Sequence, residues 1–339
     1  MSESITPELP SKRVLITGAT GFLGKYTVDE FRDNGYQVIA TGRNKANLDP
    51  LQHPNVTTAQ LSLEELATSD IQADTVVHAA ALSSAWGKWS DFYNDNVVGT
   101  EQVIRYAQRN NVDRLVYVSS PSIYTGQSDR LNIREDDFDA NNTLNHYIRS
   151  KIMAETALLR ALNEQIINEL VIIRPRGLIG VGDPSMIPRL LKANQKIGIP
   201  LFNNGDNLVD VTCVENVAYS LRLAAEAKVE NGSIYNITNG EPRTFKSILD
   251  TFFEEIGETP SYRNMNFKTI YTLASALEKL YTFSPTHAEP PLTRYTVSTL
   301  AFSQTLDISK AKQELGYEPQ ISIDEGIKAY AADYKEHHA

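Results

Sequence analysis

The chain has a single cysteine, Cys213, among 339 residues. A disulfide within the chain and a cysteine-based metal cluster are both excluded, and Cys213 reads as a buried small hydrophobe. Histidine is scarce as well. There are six, none in an HExxH spacing, and His337 and His338 sit side by side in a polar tail, so no metal site is expected. No apolar run approaches the ~18 residues that read as a membrane-spanning helix. Positive charge is short too, with a formal net charge of -10. Binding a phosphate backbone needs a basic face, so a nucleic-acid partner is excluded, while a local basic pocket for a phosphorylated small molecule is not. The opening Met1-Ser2-Glu3-Ser4 is acidic and polar, unlike a secretory leader, and the expected location is cytoplasmic.

Otherwise the composition is that of an ordinary globular protein, 41% hydrophobic and 22% charged, long enough to bury a full core. Short apolar runs recur at Arg13–Thr17, Gln37–Thr41, Val56–Leu61, Thr75–Ala79, Arg114–Ser119 and Leu170–Arg174. Between them lie helical stretches at Phe22–Asn34, Asp91–Arg109 and Leu144–Asn163. Strands that alternate with helices pair in parallel, because each parallel connection needs a crossover. The expected fold is therefore α/β, a doubly wound parallel sheet of the Rossmann type. After Pro175 the pattern breaks into segments rich in glycine, proline and asparagine, and Ser233–Ile237 reads as a strand returning to the sheet. These changes divide the chain into a flexible tail at 1–10, a nucleotide-binding domain at 11–175 plus about 209–240, a smaller C-terminal α/β substrate-binding region at about 176–208 and 241–320, and a terminal helix and tail at 321–339.

Gly18-Ala19-Thr20-Gly21-Phe22-Leu23-Gly24 follows the first strand and opens the first helix. Gly18 allows a tight turn, Gly21 lets backbone approach a pyrophosphate, and Gly24 permits close helix packing. The N–H groups at this helix head, around Thr20, Phe22 and Leu23, face the phosphates. The second strand should end in an acid if the adenosine ribose carries free hydroxyls. Here Gly42 stands at that point, followed by Arg43, Asn44 and Lys45. A guanidinium bonds a 2′-phosphate that a carboxylate would repel, so NADP is the expected cofactor, with NAD the alternative and a solvated loop charge the plainer reading of Arg43.

Tyr147 and Lys151 are four apart on a helical stretch and project from one face. An unperturbed tyrosine, with a pKa of about 10, is a poor base near neutrality, and a lysine ammonium beside it favours the phenolate. The pair is expected to couple proton transfer at a substrate oxygen to hydride transfer at its carbon, with Lys151 bonding the nicotinamide ribose. Ser119-Ser120-Pro121-Ser122 ends the fifth strand, on the edge where ligands bind in such sheets. Ser120 is the choice for orienting the substrate oxygen, with Ser119 and Ser122 as rivals and turn chemistry as the alternative. Asn96 inside the long helix could hold a backbone group, or a water in a relay to Lys151. His78 reads as a satisfied strand-end histidine, and Ala79, Ala80 and Ala81 leave room for a cofactor to lie close.

These segments carry a family likeness that spans nearly the whole chain. TGATGFLG at 17–24, HAAA at 78–81, NVVGT at 96–100, the serine cluster and YIRSK at 147–151 occur in the order of an extended short-chain dehydrogenase/reductase, in the NAD(P)-dependent epimerase/dehydratase superfamily. Arg174-Pro175-Arg176-Gly177 resembles the family's segment after the sixth strand. Asp307-Ile308-Ser309-Lys310-Ala311-Lys312 and Leu315-Gly316-Tyr317-Glu318-Pro319 resemble its C-terminal region. The resemblance implies that Tyr147, Lys151, Ser120 and Asn96 hold the catalytic roles. Within the family, the segments Trp86–Tyr93 and Pro290–Arg294 are most similar to the 3β-hydroxysteroid dehydrogenase-like and β-keto acid reductase branch, whose substrates are hydrophobic alcohols or ketones. Trp86 and Trp89 would line an apolar pocket or simply pack, and Ser122 and Arg176 join them as candidate substrate contacts. Many relatives place an acid after the third strand, near the adenine; Gln60-Leu61-Ser62 stands here instead.

The expected function is an NADP(H)-dependent oxidoreductase acting on a secondary alcohol or ketone, a hydrophobic 3-hydroxy or 3-keto compound. Two alternatives remain at this point: a nucleotide-sugar epimerase with tightly held NAD, and a non-catalytic NADP-sensing regulator. Pro121 directly after Ser120 argues against sugar dehydration, since dehydratases of this family carry acids there. The resemblance also implies a homodimer through the long helices.

Overall fold

The computed structural model describes residues 12–282 and 288–338; the expected tail at 1–10 lies outside them. In the first half, β1 (Arg13–Thr17), α1 (Phe22–Asp33), β2 (Gln37–Gly42), α2 (Lys45–Leu48), β3 (Val56–Gln60), α3 (Leu63–Thr68) and β4 (Thr75–His78) alternate. Next come α4 (Trp89–Phe92), α5 (Gly99–Arg109), β5 (Arg114–Val118), β6 (Arg130–Ile133), α6 (His146–Asn163) and β7 (Glu169–Pro175). The second half holds β8 (Leu178–Ile179), α7 (Met186–Lys196), β9 (Ile199–Leu201), β10 (Leu208–Val209), β11 (Thr212–Cys213), α8 (Val214–Glu226), β12 (Ser233–Ile237) and β13 (Arg243–Thr244). It continues with α9 (Phe245–Ile256), β14 (Tyr262–Asn264), α10 (Phe267–Thr282), α11 (Arg294–Ala301), β15 (Gln304–Leu306) and α12 (Ile323–His338).

Seven strands form one parallel sheet in the order β3-β2-β1-β4-β5-β7-β12. Strand side chains alternate between faces, and here both faces are apolar. Val14, Ile16, Val116, Val118, Val171 and Ile173 pack on one side with Val28, Phe31 and Leu221. Leu15, Leu115, Tyr117, Leu170 and Ile172 pack on the other with Val103, Tyr106 and Leu158. Helices α1 and α8 cover the first face, and α3, α5 and α6 the second. That double burial is why the strands read as unbroken apolar runs rather than alternating ones. The chain reverses direction of travel across the sheet between β1 and β4, and ligands bind outside the strand ends at such a switch point.

Three expectations need correction. The helix foreseen over Asp91–Arg109 starts at Trp89 and contains a π-helical turn, Tyr93–Val98, between α4 and α5. The helix foreseen from Leu144 starts at His146, because the Asn145 side chain accepts from the Ile148 N–H at 2.8 Å and caps it. Strand β6, inside the stretch assigned to the nucleotide domain, pairs instead with β15 in a second sheet of order β13-β10-β15-β6. The smaller region has its own core, in which Ile199, Leu201, Phe252, Phe253 and Ile327 are buried between α7, α9 and α12. Cys213 is fully buried there. Among the described residues no helix is long and apolar enough to cross a membrane, and no cluster of three or more metal-ligating side chains occurs.

Candidate active site

The glycine turn is fixed by contact rather than by flexibility. Gly18 takes φ +69°, and a Cβ there would stand 2.7 Å from the Ala80 backbone, so the turn lies directly against the segment after β4. A Cβ on Gly24 would stand 2.0 Å from the Gly18 carbonyl oxygen. Helix α1 is thereby drawn onto the turn. A Cβ on Gly21 would meet only the Gly18 oxygen within 4 Å, so the helix head is otherwise open on that side. The Thr17 hydroxyl accepts from the Ala80 N–H at 3.3 Å and bonds the His78 ring at 2.7 Å. His78 is buried, and burial followed by the Lys151 charge pushes its pKa from 6.5 to about 3, so the imidazole is neutral. At the other end of this edge, Gly42 pairs with Gln60 at the ends of β2 and β3, and Arg43 is exposed just beyond. No carboxylate occupies the end of β2. Open backbone at a helix head and a sheet edge bearing alanines fit a nicotinamide dinucleotide.

Tyr147 and Lys151 lie on one face of α6, which faces the end of β5. Lys151 is 2% exposed. Its ammonium donates to the Val118 carbonyl at 2.8 Å and to the Tyr117 hydroxyl at 3.1 Å, and sits 4.7 Å from the Tyr117 ring centroid. Burial lowers its pKa from 10.5 to about 7, against the upward pull of Glu155. Tyr147 is partly exposed. Burial holds its pKa above the ordinary value, while the hydroxyls of Ser120 and Ser83 pull it down and Tyr295 pushes it up. Desolvation dominates, and Tyr147 is a neutral phenol in this arrangement.

The serine cluster divides its work. The Ser120 hydroxyl caps the short turn at Pro121–Tyr124, accepting from the Ser122 N–H at 3.2 Å, and shares a hydrogen with the Ser122 hydroxyl at 2.8 Å. Ser122 in turn bonds the Tyr295 phenol at 2.8 Å. The Ser119 hydroxyl is buried with no partner among the described residues. Asn96 sits in the π-helical turn and holds backbone. Its Oδ1 accepts from the Leu82 N–H at 2.7 Å, and its Nδ2 donates to the Leu82 carbonyl at 3.0 Å and to the Ser150 hydroxyl at 2.9 Å. Of the two roles foreseen for Asn96, this geometry matches the backbone clamp.

At the start of α6 opens a cavity of about 480 Å³ with a mixed lining, Trp86, Trp89, Phe92 and Leu144 together with Lys88, Asn145, Glu278 and Arg294. The two tryptophans line it together, and Trp89 also stacks under the Arg149 guanidinium at 4.0 Å. Phe92 reaches the Tyr147 ring at 6.4 Å between centroids. Arg176, 7% exposed, lies just past the end of β7. Three neighbours escaped the sequence: Ser83, Tyr295 and the Asn145 amide, whose Nδ2 is buried without a partner. Tyr295 directly follows the Pro290–Arg294 segment, the one sequence signal that could have pointed to it.

Comparison with known proteins agrees with this arrangement. Residues 14–238 match the model of the NAD dependent epimerase/dehydratase family. The chain is 36% identical to an uncharacterized protein, YbjS, of Escherichia coli (strain K12), over 96% of this chain and 98% of that one. It is 30% identical to a 2-alkyl-3-oxoalkanoate reductase of Stenotrophomonas maltophilia (strain K279a), over 94% of this chain and 98% of that protein. It is also 30% identical to the decarboxylating sterol-4-alpha-carboxylate 3-dehydrogenase of Mus musculus, over 94% and 90%. The fold matches that of a UDP-glucuronic acid 4-epimerase from Bacillus cereus solved in complex with NAD, with a TM-score of 0.76 at 21% identity, over 96% of this chain and 97% of that one. The chain thus belongs to the NAD dependent epimerase/dehydratase family, and is an extended short-chain dehydrogenase/reductase of the 3β-hydroxysteroid dehydrogenase-like and β-keto acid reductase branch.

Proposed function

We propose that this protein is an NADP(H)-dependent oxidoreductase that interconverts a secondary alcohol and a ketone in a hydrophobic 3-hydroxy or 3-keto substrate. The observation that carries the reading is the Tyr147 phenol on α6, within influence of the Ser120 hydroxyl at the end of β5 and of Ser83, on the edge of the sheet that bears the glycine turn. A bound nicotinamide dinucleotide supplies the hydride chemistry. In the reducing direction the neutral Tyr147 phenol gives its proton to the substrate oxygen and is left as the phenolate, and in the oxidising direction the phenolate takes the proton of the substrate hydroxyl and returns to the phenol. Ser120 holds that oxygen, backed by Ser122 and Tyr295. Lys151 is a positioning residue, tied to the end of β5 through Val118. Gly18, Thr20, Gly21, Phe22, Leu23 and Gly24 receive the pyrophosphate, Ala79, Ala80 and Ala81 flank the cofactor, and Arg43 binds its 2′-phosphate. The bare Gly42 at the end of β2 supports the choice of NADP(H). Trp86, Trp89 and Phe92 receive the apolar part of the substrate. The names of the oxoalkanoate reductase and the sterol 3-dehydrogenase both specify oxygen at a third carbon, which supports the substrate class.

The test is a screen of ketones and 3-hydroxy compounds for NADPH consumption or formation, with Tyr147→Phe beside the parent. Activity in the parent that falls at least ~100-fold in the variant is expected, in line with the loss of an acid/base group. Reductase activity that survives the change intact contradicts the assignment. NAD that stays bound through extensive dialysis, together with sugar-nucleotide turnover, would favour an epimerase.

A further inference from the structure

The turn after β5 carries a line of hydroxyls that leads away from Tyr147. The Ser120 hydroxyl is close enough to the Tyr147 phenol to act on its proton. It lies 2.8 Å from the Ser122 hydroxyl, which lies 2.8 Å from the Tyr295 phenol. In both of these bonds either oxygen can be the donor. A hydroxyl gives one hydrogen bond and accepts two. Ser120 spends one acceptor on the Ser122 N–H, which caps the short turn. It is left to accept from one neighbour and donate to the other, in either sense, so the line has no fixed direction. Its middle is shielded and its far end is not: Ser120 and Ser122 are buried, whereas Tyr295 is partly exposed. The Tyr295 ring packs against the cluster that contains Ile123, Ile148 and Ile152, which sets the phenol beside the serine turn.

Other polar groups of the site are committed elsewhere. Asn96 spends both amide protons, on the Leu82 carbonyl and the Ser150 hydroxyl. The Lys151 ammonium holds the Val118 carbonyl and the Tyr117 hydroxyl. The second hydroxyl that acts on Tyr147, Ser83, is exposed and offers a rival route. A route is needed because each reduction leaves Tyr147 as the phenolate, which must regain a proton before the next one. A substrate seated on the phenol takes the place of water there.

We propose that Ser120, Ser122 and Tyr295 form a proton relay that restores the Tyr147 proton from solvent after each reduction and carries it out in the oxidising direction. This rests on the oxidoreductase reading above. In the reducing direction Tyr147 takes the Ser120 proton as Ser120 takes that of Ser122, Ser122 that of Tyr295, and Tyr295 one from water, which leaves as hydroxide. Each serine gains a proton as it loses one, so no alkoxide forms, and the charge passes from one phenol to another before it reaches solvent. Ser122 and Tyr295 act on the substrate only through Ser120 and Tyr147. The experiment has two arms, run on the parent, Ser122→Ala, Tyr295→Phe and Ser83→Ala with NADP or NADPH present. The first needs no substrate: 3,5-difluorotyrosine, which ionises more readily than tyrosine, replaces Tyr147, and its phenol–phenolate exchange is read from fluorine NMR line shapes. Exchange is expected to slow by about tenfold or more in Ser122→Ala and Tyr295→Phe, on the scale of a lost proton-transfer partner, and to hold in Ser83→Ala. Added imidazole should restore it in Tyr295→Phe, a rescue that a merely structural loss would not show. The second arm follows reduction of methyl 3-oxodecanoate. There kcat should fall about tenfold in Tyr295→Phe with KM within about twofold, and the dependence of kcat on the deuterium content of the solvent should change from curved, for several protons moving together, to linear. Exchange unchanged in both Ser122→Ala and Tyr295→Phe overturns the relay and leaves the oxidoreductase reading standing. Slowing in Ser83→Ala alone, or slowing in Tyr295→Phe that imidazole does not reverse, also overturns it. Slowed, rescuable exchange in a protein that reduces no ketone in the screen above supports the relay and overturns the oxidoreductase reading.

Discussion

Glu155→Gln is the sharpest probe of what holds α6, and with it Tyr147 and Lys151, against the sheet. Glu155 and Arg174 are 3% and 0% exposed, and the guanidinium meets both carboxylate oxygens at 2.9 and 2.5 Å. The amide keeps the shape and removes the charge, leaving Arg174 buried without its counter-ion. Breaking such a pair from one side costs about 3–5 kcal/mol. Unfolding entropy of about 2 cal/mol/K per residue over 339 residues turns that into a fall in Tm of about 4–7 °C. The fold supplies its own control. Arg114 pairs with Glu169 at 2.5 Å, but Glu169 is half exposed, and Glu169→Gln should cost no more than about 1 kcal/mol. Replacing both buried partners, as Arg174→Met with Glu155→Met, should recover part of the loss. Recovery stays incomplete because the Glu135 carbonyl loses its donor. Scanning calorimetry of the four proteins at pH 7 decides the matter. Equal losses for Glu155→Gln and Glu169→Gln would refute the claim that the α6–β7 pair is shielded from water. Glu155 is also the charge that pulls the Lys151 pKa upward, so in Glu155→Gln that lysine should titrate below about 7.

Three further outcomes follow from the geometry. The folded-state pKa of His78 is about 3 against an ordinary 6.5, so the unfolded chain binds the proton first. The stability this contributes is whole above about pH 6.5 and is lost as pH falls toward 3, by at most about 1.4 kcal/mol per pH unit; His78→Asn should flatten the fall of Tm between pH 6.5 and 4, and equal slopes would count against it. Gly24→Ala drives a methyl into the Gly18 carbonyl and the Ala19 backbone, and should cost about 3 kcal/mol or more in chemical denaturation together with dinucleotide affinity. Gly126→Ala, with nothing within 4 Å, should change stability by no more than about 0.5 kcal/mol. Arg43→Ala should weaken NADPH binding about tenfold and leave NADH untouched in fluorescence titrations; a matched loss for both would remove the 2′-phosphate contact.

The sequence displayed the large sheet because most of its strands are apolar on both faces and each is closed off by a turn or a helix. Strands such as β1 and β7 need no long-range information to be seen. The second sheet was hidden for the opposite reason. Its members β6, β10, β13 and β15 are two to four residues long, and β6 finds its partner more than 170 positions away. Tyr147, Lys151 and Ser120 were legible because helical spacing and a strand end fix where they stand. The neighbours that tune Tyr147 were not. Ser83 lies in a loop without periodicity, and Tyr295 comes from the far end of the chain. The forces were harder still to read: helical spacing places a lysine one turn from Tyr147 but says nothing of the burial that raises the phenol's pKa.

Asn96 gives Leu82 both the donor and the acceptor that an adjacent strand would have offered. A strand would also have walled off the flank of residues 79–82 with its own peptide groups. Delivered from a helix by one amide, the same two bonds hold the segment without a neighbouring strand's main chain on that flank.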